Sequence, residues 1–233
     1  MFFWCNKFYY CNDKIKLCQK TPPIMSKANL FEALRQYLST LPAGFSHIPE
    51  PRKAILRSLA DYIRKQKGGA QIVVICTHNS RRSHMGQLWA AAAATWYGVE
   101  GLKAFSGGTE ATAFHPNAVA ALKRAGFQIT RKTPGKNPVY EARYGEDEPA
   151  IEVFSKRFDD DANPGRGYAA IMVCSEADEA CPFVPGAALR LSLPFEDPKR
   201  ADGTPEEEQA YDEACRLIAR EFCFAMQEAA GGE

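Results

Sequence analysis

Apolar residues recur at two different periods along the chain, and the changes of period mark its elements. Leu30, Phe31, Leu34, Tyr37 and Leu38 fall at helical spacing, Pro42 and Gly44 break it, and Ile55, Leu56, Leu59, Tyr62 and Ile63 resume it after Pro51. Lys67-Gly68-Gly69 closes this unit, so residues 25–69 are expected to form an α-helical N-terminal extension packed on the rest. Ile72-Val73-Val74-Ile75 then runs apolar and β-branched without alternation, as a strand buried on both faces of a parallel sheet does. It ends at Cys76, a polar loop follows, and a helix is predicted from about His84 to Tyr97, stopping at Gly98. Tyr168 to Cys174 repeats the buried-strand pattern, and Leu189 to Leu193 alternates as a strand.

Other segments read as scaffold. Phe105-Ser106-Gly107-Gly108 is a strand end and turn, and His115-Pro116-Asn117 opens a helix over Ala118 to Ala125 that Gly126 caps, with His115 expected as a helix-entry residue. Between Arg131 and Gly167 a long insertion carries two strand-like runs, Val139 to Tyr144 and Ile151 to Phe158, which can pair as a hairpin and serve as a lid or a solvated decoration. A last helix from about Pro205 to Glu228 puts Ala214, Leu217, Ile218, Phe222 and Ala225 on one face, with Cys215 and Cys223 expected to pack. Buried strands alternating with helices give an α/β class.

Composition narrows function by exclusion. A chain of 233 residues holds one enlarged domain or a domain with an appendage. Its 29 basic and 28 acidic residues leave a net charge of +1 with no long basic run, so neither a nucleic-acid partner nor an anionic membrane surface is expected. No apolar run approaches the roughly 18 residues a spanning helix needs. Eight cysteines are too sparse for a disulfide scaffold. The apolar start, Met1 to Cys5, is cut short by Asn6 and Lys7 and lacks a small-residue cleavage site, so the expected compartment is reducing and cytoplasmic. Residues 1–24 hold Cys5, Cys11 and Cys18 and no periodic pattern; we take Met25 as the natural start and this stretch as a translated upstream segment or a floppy tail. The spacing of those three cysteines misses the close pairs of a zinc site, and no metal site is expected.

The chemistry begins where the first buried strand ends. Cys76 and Arg82 enclose five residues and Ser83 follows, the whole motif placed between strand and helix. Ligands of open α/β sheets bind outside the carboxyl ends of strands, and successive loop amides with a helix N-terminus form an anion-binding cradle. Thr77, His78, Asn79, Ser80, Arg81 and Arg82 are therefore candidates to bind an oxyanion. The amides, the helix dipole and Arg82 favour the charged form of Cys76 and make its sulfur a nucleophile. Arg82 can grip two oxygens of a tetrahedral anion through its planar fork, and the Ser83 hydroxyl can hydrogen-bond the thiolate when it must leave. Downstream, Cys174 and Cys181 stand seven apart after the second buried strand, either as packing cysteines or as a reactive pair.

Val74-Ile75-Cys76-Thr77-His78-Asn79-Ser80-Arg81-Arg82-Ser83-His84-Met85 resembles the phosphate loop of low-molecular-weight protein tyrosine phosphatases, and more closely that of the thioredoxin-coupled arsenate reductases that share their fold. The resemblance runs from about Gln71 to Met226 and leaves the tail and the helical extension outside. It implies a three-layer, doubly wound α/β fold with a mainly parallel four-stranded sheet, here spanning residues 70–233 as the catalytic domain. It also implies that Cys174 and Cys181 are a resolving pair flanking a short mobile helix, and that Asp197, in Phe195-Glu196-Asp197-Pro198, is the phosphatase general acid.

Two enzymatic readings follow from it. In the first, Cys76 attacks arsenate, Cys174 attacks Cys76 as arsenite leaves, and Cys181 passes the disulfide outward to a thioredoxin-like reductant. In the second, Cys76 forms a phosphocysteine on a phosphate monoester, Asp197 protonates the leaving group, and water releases phosphate. A third reading is an inactive oxyanion-binding or interaction module. None of the three implies a cofactor. The motif also departs from the family: His78 stands where Gly is usual, Arg81 where Cys is frequent, Gln87 where potassium-dependent arsenate reductases carry Glu, and Lys199 where the eukaryotic phosphatases carry Tyr. Neither a potassium site nor an aromatic clamp for phosphotyrosine is expected from these positions.

Overall fold

A computed structural model describes residues 29–181 and 183–231. Residues 1–24, with Cys5, Cys11, Cys18 and the start at Met25, lie outside the described residues. The central sheet is built from β1 (Gln71–Cys76), β2 (Lys103–Gly108), β6 (Tyr168–Met172) and β7 (Ala187–Ser192) in the order β2-β1-β6-β7, and every pairing is parallel. The two middle strands are the two sequences without alternation: Ile72 to Ile75 and Ala169 to Met172 are fully buried. The parallel four-stranded sheet that the resemblance implied is present.

Helix α3 (Arg82–Tyr97) follows β1, packs across β1 and β2, and ends at Gly98 in a left-handed cap. Its run of alanines, Ala90 to Ala94, is buried and lets it lie close to its neighbours. The long C-terminal helix α6 (Glu207–Gly231) packs along it, and α4 (Pro116–Arg124) joins them. Among the described residues no helix is long and apolar enough to cross a membrane.

The N-terminal segment forms α1 (Glu32–Thr40), a 3-10 turn (Leu41–His47) and α2 (Glu50–Lys65). The expected break at Pro42 and Gly44 is a tightening into 3-10 geometry. Pro42 sits in the first turn, where its missing N–H costs nothing. Leu34, Leu38, Leu56 and Leu59 belong to the same continuous core as Ile72, Trp89 and Phe222. Tyr37 stacks on Trp89 with centroids 5.2 Å apart, and the Tyr62 hydroxyl donates to the carbonyls of Gln71 (3.0 Å) and Gly167 (2.8 Å). Arg52, on α2, donates to the Glu221 carboxylate at 2.7–3.1 Å and to the Pro194 carbonyl at 3.0 Å. From Leu30 to Ile63 the extension therefore contributes to the core.

Strand β3 (Gln128–Arg131), which leads into the insertion, pairs with two strands inside it, β4 (Tyr140–Arg143) and β5 (Ile151–Val153), in an antiparallel sheet. The expected hairpin is present as β4 and β5, but β5 ends at Val153, well before Phe158. Its continuation is diverted to the mouth of the central sheet, where Gly108 N–H donates to Lys156 O (2.9 Å), Phe158 N–H to Gly108 O (2.9 Å) and Lys156 N–H to Asn79 Oδ1 (2.8 Å). This stretch of the insertion thus braces the loop after β1.

One core residue sets the response to acid. His84, on α3, is fully buried, its Nδ1 3.1 Å from Ser106 Oγ and its ring 4.3 Å from that of Phe114. Burial, with the nearby Lys156 ammonium, pushes it down to about 3. Below about pH 6.5 the unfolded chain gains a proton that the folded one refuses, so folding stability falls by about 1.4 kcal/mol per pH unit from there toward pH 3. Replacing His84 with Gln is expected to flatten this slope in urea-unfolding midpoints taken between pH 7 and pH 4.5. An unchanged slope would assign acid sensitivity to other groups.

Candidate active site

The loop after β1 is shaped by one residue in the left-handed region, Asn79, at φ 44°. Asparagine is among the few side chains that tolerate that conformation. His78, standing where the resembling families have glycine, therefore needs no special backbone. Its ring is half exposed, with Nε2 3.8 Å from Glu110 Oε2, and its carbonyl accepts from Thr112 Oγ1 (2.9 Å) and Ser155 Oγ (3.1 Å). Asn79 is buried and works at both ends of its amide: Oδ1 accepts the Lys156 N–H, and Nδ2 donates to Ser83 Oγ at 2.9 Å. Ser83 Oγ lies 3.0 Å from Cys76 Sγ. Because that oxygen already accepts from Asn79, its single proton is left to point at the sulfur.

Neighbouring segments fix the rest of the loop. Glu110 N–H donates to Thr77 O (2.8 Å), Thr109 N–H to Cys76 O (3.2 Å), and His115 N–H to Ser80 O (2.9 Å). A Cβ built on Gly108 would lie 2.6 Å from Thr77 O and 2.7 Å from Asn79 N, so any side chain there would displace loop backbone. His115 caps α4, its Nδ1 accepting from Asn117 N–H at 3.3 Å, in the helix-entry role read from the sequence.

The two arginines diverge. Arg82, almost fully buried, donates through Nη1 to Phe195 O (2.8 Å) and through Nη2 to Asp197 Oδ2 (2.7 Å), which brings the Asp-Pro segment to the loop. Asp197 also accepts from Lys199 N–H at 3.0 Å, capping a 3-10 turn (Pro198–Ala201). The Arg81 side chain is engaged outside the loop. Its Nε donates to the Tyr211 hydroxyl (2.8 Å), which donates in turn to Asp202 Oδ1 (2.8 Å), and its Nη2 lies 3.4 Å from Asp202 Oδ2. An aligned phenol and carboxylate on the C-terminal side of the fold outcompete the open loop for that guanidinium.

The second cysteine pair frames one element. Cys174 directly precedes α5 (Ser175–Ala180) and Cys181 directly follows it, which is the placement the resemblance implied. Cys174 is fully buried, and its Sγ lies 3.4 Å from Oγ1 of Thr77, the neighbour of Cys76. Burial raises its thiol above the ordinary value, partly offset by the Thr77 hydroxyl. Cys181 is partly exposed, two positions before the exposed Phe183. Cys215 and Cys223 are buried in the core, where Cys215 Sγ accepts from Trp89 Nε1 at 3.2 Å.

Gln87 is buried and donates to Ala104 O at 3.1 Å. Among the described residues no group of three or more His, Cys, Asp or Glu side chains is placed to hold a metal ion. Sequence reasoning missed Asn79 as the hub of the loop, together with Lys156, Ser155 and Tyr211. The one signal available was asparagine in a tight polar loop; the others are distant in sequence and contact the loop only in the folded chain.

Comparison with known proteins gives this geometry a lineage. Residues 71–139 match the family model described as low molecular weight phosphotyrosine protein phosphatase. An arsenate reductase of Bacillus subtilis (strain 168) is 30% identical over 145 residues, covering 62% of this chain and 86% of that relative. Two solved structures are also similar. One is a low molecular weight phosphotyrosine phosphatase of Vibrio cholerae O395 (TM-score 0.43, 14% identity, 67% of this chain and 94% of that one). The other is a thioredoxin-dependent arsenate reductase of Corynebacterium glutamicum (TM-score 0.37, 16% identity, 79% and 92%). With the family model seated on β1 and its loop, and an arsenate reductase matched along most of its own length, this chain belongs to the low-molecular-weight phosphotyrosine phosphatase superfamily, among its arsenate reductases.

Proposed function

We propose that this protein is a thiol-dependent arsenate reductase in which Cys76 is the nucleophile, Cys174 and Cys181 are a disulfide relay, and a thioredoxin-like protein is the final reductant. The observation that supports this most is Cys174, buried against Thr77 beside the nucleophile, with Cys181 at the far end of a short helix and partly open to solvent. A phosphatase has no use for that arrangement. Arsenate would sit on the loop amides and draw the Arg82 guanidinium from Phe195 O and Asp197 Oδ2 onto its own oxygens, and Cys76 would attack arsenic with loss of water. Cys174 thiolate then attacks Cys76 Sγ, and the electron pair of the sulfur–arsenic bond leaves with arsenic as arsenite. Cys181 attacks Cys174, Cys76 departs as a thiolate, and the Ser83 hydroxyl, oriented by Asn79, stabilises it.

Ester hydrolysis stands as a second reading because Asp197 is drawn to the site by Arg82. Cys76 with Asp197 as proton donor suffices for it, without either relay cysteine. The test is arsenate-dependent NADPH consumption with thioredoxin and its reductase, beside p-nitrophenyl phosphate hydrolysis, on wild type, Cys76→Ser and Cys181→Ser. The relay predicts that arsenate turnover needs both thiols and ester cleavage only Cys76. Brisk ester cleavage with no arsenate turnover in the wild type makes the protein a phosphatase.

The raised Cys174 thiol adds a pH signature. With its attack limiting, single-turnover arsenite release is expected to keep rising with pH above neutrality, as its thiolate fraction does. Ester cleavage, which bypasses Cys174, should not share this rise; a flat arsenite profile would place the limiting step elsewhere.

A further inference from the structure

The relay reading has a geometric cost that falls on α5. Cys174 and Cys181 cap opposite ends of six helical residues. Seven positions at 1.5 Å rise put their Cα atoms about 10 Å apart along the axis, whereas a disulfide holds them at about 4.4–6.8 Å. The helix must therefore unwind for the outer disulfide to close.

The structure fastens that helix to β7. Arg190 Nε donates to Cys181 O at 3.0 Å, and its Nη2 donates to Asp178 O at 2.7 Å and to Asp178 Oδ1 at 2.5 Å. Two residues along the same strand, Ser192 Oγ donates to Asp178 Oδ2 at 2.5 Å. Both strand side chains thus converge on the last turn of α5. The Arg190–Asp178 pair is three-quarters buried on each side, so water competes with it only weakly. One guanidinium holds the carbonyl of the resolving cysteine itself, and that carbonyl must move if Cys181 is to reach Cys174.

We propose that Arg190, seconded by Ser192, is a positioning residue for the relay: it latches α5 in the dithiol state and is released as the Cys174–Cys181 disulfide forms. The proposal rests on the relay reading of Cys174 and Cys181. In the step concerned, the Cys181 thiol gives its proton to solvent, and its sulfur bonds Cys174 as the Cys76–Cys174 bond breaks and Cys76 leaves as a thiolate. One disulfide is exchanged for another, with no net change of oxidation state. Because the latch exists only in the dithiol form, it stabilises that form and makes the outer disulfide easier to reduce.

The experiment is a redox titration of the full chain in glutathione or dithiothreitol buffers, in a Cys76→Ser background that leaves Cys174 and Cys181 as the pair read by alkylation and peptide mapping. Arg190→Met is expected to shift the equilibrium roughly tenfold toward the disulfide, a potential about 30 mV more negative. Ser192→Ala should move it the same way by less, and Arg190→Lys should fall between Met and wild type. Amide exchange over residues 177–181 should quicken in the reduced Arg190→Met protein. If that variant does not fold, Arg190→Lys and Ser192→Ala carry the measurement. A disulfide that forms at the wild-type potential in every folded variant overturns the latch alone. A parent protein that forms no Cys174–Cys181 disulfide at any poise overturns the relay, and the latch with it.

Discussion

Cys174→Ser is expected to abolish arsenate reduction while leaving phosphate-ester cleavage within about threefold of wild type. The site is fully buried at the end of β6, so an exchange of sulfur for oxygen keeps the volume and the contact with Thr77. What it removes is the sulfur that would take up the bond to Cys76 as arsenic leaves, and serine oxygen cannot do that chemistry. Loss of a nucleophile that acts in sequence with others costs roughly a thousandfold or more, and the other members of the unit do not make up the difference. Steady-state NADPH consumption with arsenate reads the loss, and p-nitrophenyl phosphate hydrolysis reports whether the Cys76 loop survives intact. Arsenate turnover persisting in this variant would end the relay reading, because that reading needs the Cys174 sulfur to take up the bond to Cys76.

Arg52→Ala is expected to lower folding stability by about 3 kcal/mol, at the low end of the cost of stranding a buried charge. Glu221, on α6, is 2% exposed, and Arg52 covers it through both Nε and Nη2. Removing the guanidinium leaves the carboxylate with Arg220, whose Nη2 lies 3.9 Å away and can compensate only in part. The same guanidinium holds Pro194 O and lies 5.0 Å from the centre of the Phe195 ring, just before Asp197. Ester hydrolysis should therefore decline along with stability. Urea unfolding measures the first and p-nitrophenyl phosphate turnover the second. Replacing both partners with apolar residues of similar size should recover most of the stability without restoring the brace on the Asp197 segment. A loss below 1 kcal/mol in Arg52→Ala would mean that Glu221 takes up a proton or reaches water.

Elements whose burial is two-sided or strongly periodic were plain in the sequence. Ile72 to Ile75 could be read as a buried strand because four consecutive β-branched residues have few other uses. The spacing of Cys174 and Cys181 showed its meaning only beside the Cys76 motif, since two cysteines seven apart are otherwise ordinary. Strand β3 was not visible because only Ile129 of its four residues is buried, and β5 was overextended because the apolar pattern continues past Val153 while the hydrogen bonds do not. The side-chain partners of Arg81 were not legible from its neighbours in sequence. Its actual partners, Tyr211 and Asp202, lie more than a hundred residues away, where no local pattern can point.

The bracing of Asn79 by Lys156 also orders events in time. The motif from Cys76 to Ser83 is complete early in synthesis, but its shape depends on Glu110 and Thr112 some thirty residues later and on Ser155 and Lys156 some eighty residues later. Contacts of such sequence separation form only after the intervening chain has been made and closed into a loop. A nascent chain that has not yet emitted Lys156 carries Cys76 without the contacts that shape its loop. The protein therefore sets the loop around Cys76 only once the chain through Lys156 has folded back onto it.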